Sequence, residues 1–575
     1  MRQLSFLLNI TMKRIFFLFL FSAVSSAWTF ACTNLIVGKD ASVDGSVMFS
    51  YSADSYGMFS GLYHYPAAKH APNTMRKIYE WDTNKYLGEI PEAPETYNVV
   101  GNINEWQVSI GETTYGGREE MVDTTGIIDY GSLIYIALQR SKSAREAIKV
   151  MTSLVEKYGF YSSGESFTIC DPNEAWIMEL QGKGPGSRGV VWVAVRIPDD
   201  CISAHANQSR IRQFDMKDKK NVMYSKDVIK FAREKGWFTG RDEDFSWADA
   251  YAPADFSGRR YCDARVWSFF NMWAEGGFNE YLPWAIGKDP EAKPMPLWIK
   301  PKQKLSVADL ENSMRDHYDN TPLALDQDDD IGQGIHSMPY RLSPLSYEID
   351  GKKYFNERPI STQQSAFVFV SQLRSWLPRQ IGGVFWFGND DANMVPFTPI
   401  YCSMTERPKC YNTPGADAVT FSMDNAYWVC NWVSNMVYPR YNVLFPDLKA
   451  KRDSLDHLYM SRQKEIEHKA QQIFLEKGEE ACVRYLNDYS VKTAQDMLGE
   501  WQQLATYLIV KHNDMVIKPE ENGKFKRSPY GLGATVMRPG YSKAARKAIA
   551  DRVGDRLAIP EKKLISIFLT QVSDV

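Results

Sequence analysis

From Thr33 the apolar positions run strand-like: Leu35-Ile36-Val37 stops at Gly38, Asp44-Gly45 marks a turn, and Val47 to Tyr51 resumes an apolar segment. This spacing predicts a hairpin with Cys32 at its leading edge. Between Glu105 and Thr113, Trp106, Val108 and Ile110 alternate with polar residues, the period of a half-buried strand. The period then changes. Ser143 to Tyr158 predicts a helix, in which Ser143 and Glu146 make a capping box. Ala147, Ile148, Met151, Leu154 and Val155 share its apolar face, and Gly159 stops it. Phe167–Cys170, Ala175–Leu180 and Val190–Ile197 follow, separated by turn residues such as Asp171-Pro172-Asn173. They read as an antiparallel meander. A further strand pair is predicted at Ala366–Val370 and Val384–Phe387.

Near the C-terminus the helical period takes over. Leu455, Leu458, Ile466, Ala470, Ile473 and Phe474 are spaced along one face between Ser454 and Glu480, among many charges. Helical signal continues from Val491 to Lys511, whereas the Pro- and Asp-rich stretch from Lys288 to Gln333 reads as irregular. Strands, a helix, then more strands fit an α+β fold with helices layered on antiparallel sheets. The division read from the chain is a core over residues 32–440 and a mainly helical region over 441–575 packed on it.

Residues 1–31 read as an export leader. Arg2, Lys13 and Arg14 give positive charge, Ile15 to Val24 form an apolar run short for a membrane span, and Ser25, Ser26 and Ala27 are small. Cleavage after Ala27 leaves Trp28 to Ala31 as a propeptide; cleavage after Ala31 exposes Cys32 directly. A lipoprotein reading would acylate the Cys32 amine, and an uncleaved anchor is the remaining alternative. The first two imply an exported product, in a periplasm, outside the cell or at its surface.

A net charge of −3 with acids and bases interspersed gives no basic stripe for nucleic acid. No second apolar run predicts a membrane span after the leader. The 16 Trp and 31 Tyr residues point to a large aromatic core. Cys402 and Cys410 bracket a short polar loop and form a candidate disulfide. CxxC and HExxH motifs do not occur in the chain and its eight His residues are scattered, so no metal and no cofactor is expected.

Chemistry enters with Cys32. A thiol with a pKa of about 8.5 beside an α-amine of about 7.7–8.0 puts nucleophile and base on one residue, with no separate His required. The flanking residues make this specific. Cys32-Thr33-Asn34-Leu35-Ile36-Val37-Gly38-Lys39 with Asp44-Gly45-Ser46 resembles the opening of the C69 dipeptidase family of N-terminal-nucleophile hydrolases. Asn104-Glu105 with Glu112-Thr113, Asp171 to Trp176 with Glu179, and Asn207-Gln208 with Arg210-Ile211 are similar to later family blocks in the expected order. Arg315 to Tyr318 with Thr321-Pro322, then Arg374, Leu377-Pro378 and Gly383 to Trp386, continue the series.

The resemblance implies an αββα sandwich over residues 32–440 and hydrolysis of small peptides, dipeptides above all; exposure of Cys32 by signal peptidase or by autoprocessing stays open. The oligomeric state stays open, a homo-oligomer being in keeping with this fold. Tyr51 stands where the family often has Arg, which leaves thiolate stabilisation to the Tyr51 hydroxyl or another Arg. Asp54 is expected to orient the Cys32 ammonium or bind a substrate amine, unless it only caps a turn. Asn207 is a candidate oxyanion donor, and Asn104 a weaker one that would touch substrate; either would otherwise be a buried loop Asn. Glu112 is placed to bind a free α-amino group, or else lies on a strand surface. Arg210 and Arg260 suit a substrate carboxylate or a structural ion pair. His317, Trp176 and Trp386 read as structural. Two other functions stay open: an amidase acting on N-acyl substrates such as penicillin V or conjugated bile acids, and a non-catalytic surface lipoprotein.

Overall fold

A computed structural model describes residues 32–326, 338–341, 346–355, 357–529, 531, 533–541 and 543–559. The predicted leader, and the end of the predicted irregular segment, lie outside these residues. The chain enters as β1 (Thr33–Val37) and β2 (Val47–Asp54), the predicted hairpin, with Asn34 opposite Tyr51. Next come β3 (Ser109–Gly116), α1 (Tyr130–Leu138), α2 (Ala144–Tyr158), then β4 (Gly164–Cys170), β5 (Ala175–Gly182) and β6 (Val190–Ile197). β3 to β6 are consecutive antiparallel neighbours, which makes the meander. β7 (Ile202–His205), α3 (Ala264–Trp273) and the short β8 (Trp298–Ile299) follow. β9 (Ser365–Leu373) pairs with β10 (Val384–Asn389), as predicted, and β11 (Thr398–Tyr401) extends them. The helices α4 (Ala426–Val437), α5 (Tyr441–Lys477) and α6 (Glu479–His512) follow.

Among the described residues these strands build two large sheets. One has the order β8-β7-β1-β2-β9-β10-β11; the other is centred on β6-β5-β4-β3. β1 and β2 pack against β3 and β4, so the sheets lie face to face. α1 and α2 pack on the second sheet, while α3 and α4 to α6 pack on the first. His205 fastens the two sheets, its ring nitrogens each 2.7 Å from Thr113 Oγ1 and Thr168 Oγ1. Burial, with Arg210 nearby, pushes the His205 pKa down to about 3, so it bridges as a neutral ring. Gly111 permits the close approach: a Cβ there would stand 2.5 Å from Asn34 Oδ1 and 2.8 Å from the Phe49 ring.

Several local expectations change. β3 begins at Ser109, because Asn104 to Gln107 form a turn in which Gln107 takes a left-handed φ of 63°. At the start of α2, Ser143 Oγ accepts the Glu146 N–H, but Glu146 accepts from Lys142 N rather than from Ser143. Part of the segment predicted as irregular is a helix, Val307–Ser313, opened by a Ser306–Asp309 capping box. α5 starts at Tyr441, ahead of the predicted Ser454, and α6 spans more than the predicted run.

α5 is tied to the sheet layer by buried ion pairs. Arg374 grips Glu467 through two bonds of 2.8 and 2.6 Å, and Arg315 Nη2 lies 2.7 Å from Asp456 Oδ2. Leu444, Leu448, Tyr459 and Trp501 belong to the same apolar cluster as Leu35, Phe49 and Phe369. Trp176 and Trp386 are fully buried in the sheets, as expected. Among the described residues no helix is long and apolar enough to cross a membrane.

Candidate active site

Cys32 sits at the leading edge of β1, buried where the two sheets meet. Its backbone N–H donates to Asn207 Oδ1 at 2.9 Å. Its thiol lies 3.3 Å from Glu112 Oε1 on β3 and 3.6 Å from the Tyr51 hydroxyl on β2. Tyr51 in turn donates to the same Glu112 oxygen at 2.7 Å. Strand alternation explains part of this. Tyr51 and Ala53 point the same way from β2, and both line one small pocket with Cys32, Asp54 and Glu112. Trp81, Tyr130 and Tyr135 give that pocket an aromatic wall.

Asn207 follows β7 in a left-handed conformation, φ 62°, which Asn tolerates better than most residues. Its oxygen accepts from Cys32 N, from Arg265 Nη2 at 3.0 Å and from Arg358 Nη1 at 3.5 Å. Its Nδ2 donates to Thr114 O at 2.8 Å. Asn207 therefore presents an acceptor to Cys32, not the oxyanion donor expected of it, because the positive groups around it fix which end faces the cysteine.

Asp54 is fully buried and ion-paired with Arg358, and it accepts from Ser365 Oγ at 2.5 Å and Ser52 Oγ at 2.9 Å. Its carboxylate is thus spent on neighbours. Arg265 clamps the start of β1. It donates to Cys32 O and Thr33 Oγ1, each at 2.8 Å, and to Ala206 O at 3.0 Å. Arg265 follows a π-helical turn, Gly258–Asp263, a geometry that often accompanies functional sites.

Burial, then the charges of Glu112 and Asp54, push the Cys32 thiol well above its usual range. The Asp54 N–H and the Tyr51 hydroxyl pull it back down. Burial also raises Glu112, to about 7, against the hydrogen bonds from Tyr51 and the thiol. A protonated carboxyl and an ionised one are therefore both accessible beside the sulfur near neutral pH.

Four residues expected to act at the site or in a disulfide are engaged otherwise. Asn104 donates to Leu138 O and Ser141 O at 2.7 and 2.8 Å and accepts from Trp106 N and Val108 N, so its amide closes a turn. Arg210 is buried against Asp263 at 3.5 Å and donates to Pro296 O at 2.7 Å; it is a structural ion pair lining a different cavity. Cys402 and Cys410 are both free thiols: Cys402 donates to Arg379 O at 3.4 Å, and Cys410 sits in a separate 3₁₀ turn. Arg260 pairs with Glu357, and His317 is buried against Tyr340, as the structural readings require.

Arg265, Arg358 and Asn102, which lines the pocket, were not singled out by sequence reasoning. Arg265 left one signal, a lone charge among Ala264, Val266, Trp267, Phe269 and Phe270. Arg358 left none, since it answers a charge from which 304 residues of chain separate it.

A family model, peptidase family C69, matches residues 31–453. The chain is 26% identical to a probable dipeptidase of Latilactobacillus sakei, over 72% of this chain and 82% of that protein. It is 26% identical to a probable dipeptidase of Salmonella dublin, over 65% of this chain and 81% of that protein. It is also 24% identical to dipeptidase A of Lactobacillus helveticus, over 72% and 83% of the two chains. The protein belongs to peptidase family C69.

Proposed function

We propose that this family C69 peptidase is an exported cysteine dipeptidase in which Cys32, freed as the mature N-terminus, is the nucleophile. The catalytic unit is read as an N-terminal-nucleophile sandwich over residues 32–440, with 441–575 as a helical addition. One observation carries the substrate reading: Glu112 Oε1 lies 3.3 Å from the Cys32 sulfur. In a dipeptide the α-ammonium is two bonds from the carbonyl carbon that the sulfur attacks. A group that binds this ammonium must therefore stand beside the thiol, where Glu112 stands. An amidase for N-acyl substrates would need apolar contacts at that point, and a buried carboxylate works against it.

The α-amine accepts the thiol proton, and the sulfur bonds to the carbonyl carbon. The tetrahedral oxyanion needs a fixed N–H donor, and the Asp54 N–H, which favours negative charge on the thiol, is the candidate. The amine passes the proton to the departing nitrogen as the C–N bond breaks, and water then hydrolyses the thioester. Asn207 and Arg265 hold the Cys32 nitrogen and carbonyl in place. Arg358 supplies the positive charge near the thiol that Tyr51 does not.

The test uses the secreted, purified protein. Edman sequencing should begin at Cys32, and free dipeptides should be hydrolysed while their N-acetyl forms are not. Cys32→Ala should lose turnover by at least about 1,000-fold and keep its fold. Turnover retained in Cys32→Ala, or equal hydrolysis of N-acetyl dipeptides, would sink this reading.

A further inference from the structure

Glu165 stands one strand away from Glu112. In the register of β3 and β4, Thr114 is opposite Glu165 and Glu112 is opposite Phe167, so the two glutamates are diagonal neighbours. Both are buried. Glu112 spends Oε1 on the Tyr51 hydroxyl and the Cys32 thiol, and Glu165 spends Oε1 on the Thr114 hydroxyl at 2.8 Å. The other oxygen of each, Oε2, is buried without a hydrogen-bond partner among the described residues, and the strand register sets the two carboxyls side by side. Among the described residues neither forms an ion pair with a Lys, Arg or His.

Two neighbouring buried carboxyls with no cation beside them cannot both stay ionised, so they hold one proton between them. Bonding decides which one keeps it. Glu112 already receives two donors at Oε1, which favour its anion, whereas Glu165 receives only a neutral hydroxyl. The proton therefore belongs on Glu165, where it points at Glu112 Oε2.

We propose that Glu165 is a positioning residue, a neutral carboxylic acid whose O–H donates to Glu112 Oε2 and holds Glu112 as the anion that receives the substrate α-ammonium. The proposal rests on the dipeptidase reading for its ligand.

Binding tests it without chemistry. Alanyl-alanine is titrated calorimetrically into the Cys32→Ala protein carrying a second change at residue 165. Glu165→Gln keeps a donor and should hold Kd within about threefold; Glu165→Leu removes it and should weaken Kd about tenfold or more. In the active enzyme, Glu165→Leu should raise KM by a similar factor with kcat less affected. Equal losses in Gln and Leu would mean that residue 165 must carry charge, and no loss in Leu would mean it positions nothing; both overturn the proposal. If Glu165→Leu fails a thermal-unfolding check, Glu165→Gln decides alone, retention supporting the proposal and a tenfold loss overturning it. No dipeptide binding to Cys32→Ala also overturns it. Binding without wild-type turnover fails the peptidase reading instead, and leaves the Kd comparison decisive.

Discussion

Arg358 is ion-paired with Asp54, and both side chains are buried beside the oxygen that accepts the Cys32 N–H. An arginine distant in sequence thus neutralises the carboxylate whose charge pushes the Cys32 thiol upward. Removing Arg358 leaves the Asp54 carboxylate buried without its partner. Arg358→Met should cost about 3–5 kcal/mol of stability, read by urea unfolding. Asp54→Asn should cost less, since Ser52 and Ser365 still bond the residue.

Asn207 faces Cys32 with an oxygen, and that sets the outcome of two substitutions. Asn207→Leu removes the acceptor and should lower kcat about 100-fold with a smaller change in KM. Asn207→Asp keeps an acceptor beside two guanidinium groups and should retain more activity than Asn207→Leu. Steady-state kinetics on one dipeptide compares them. The opposite order would mean that residue 207 acts as a donor.

The pH profile follows from Glu112, which burial pushes up to about 7. If, as proposed, its anion binds the substrate ammonium, kcat/KM should rise as pH increases through about 7. It should fall again above about 8, where the substrate α-amine loses its proton. Glu112→Gln should lower kcat/KM about 100-fold and remove the component near 7, which a pH–rate series would reveal.

Arg374 and Glu467 join β9 to α5 with both partners buried. Arg374→Met should destabilise the protein by about 3 kcal/mol because it strands Glu467. The double change Arg374→Met with Glu467→Leu should recover most of this loss, as thermal unfolding of the three proteins would show.

What could be read in advance was local. The β1–β2 hairpin, the meander and the helix from Ala144 follow from alternation and caps, which act over a few residues. Trp106 misled because it alternates like a strand residue yet sits on a turn that the Asn104 amide closes. Asn104 and Arg210 carry plausible chemistry, and only their distant partners, Ser141 O and Asp263, show that this chemistry is already engaged. Asn207 was located but assigned the wrong polarity, since the guanidinium groups that orient it come from other segments. Cys32, Tyr51, Asp54 and Glu112 do converge, because β1, β2 and β3 are brought together by the packing of the two sheets.

The wide separation of Asp54 and Arg358 along the chain has a consequence for timing. A ribosome that has finished the first hairpin has made Cys32, Tyr51 and Asp54, but not the cation that answers Asp54. Until the segment carrying Arg358 is made, Asp54 lacks its ion-pair partner. The charge balance around Asp54 is therefore completed late in synthesis, by a residue 304 positions further along the chain.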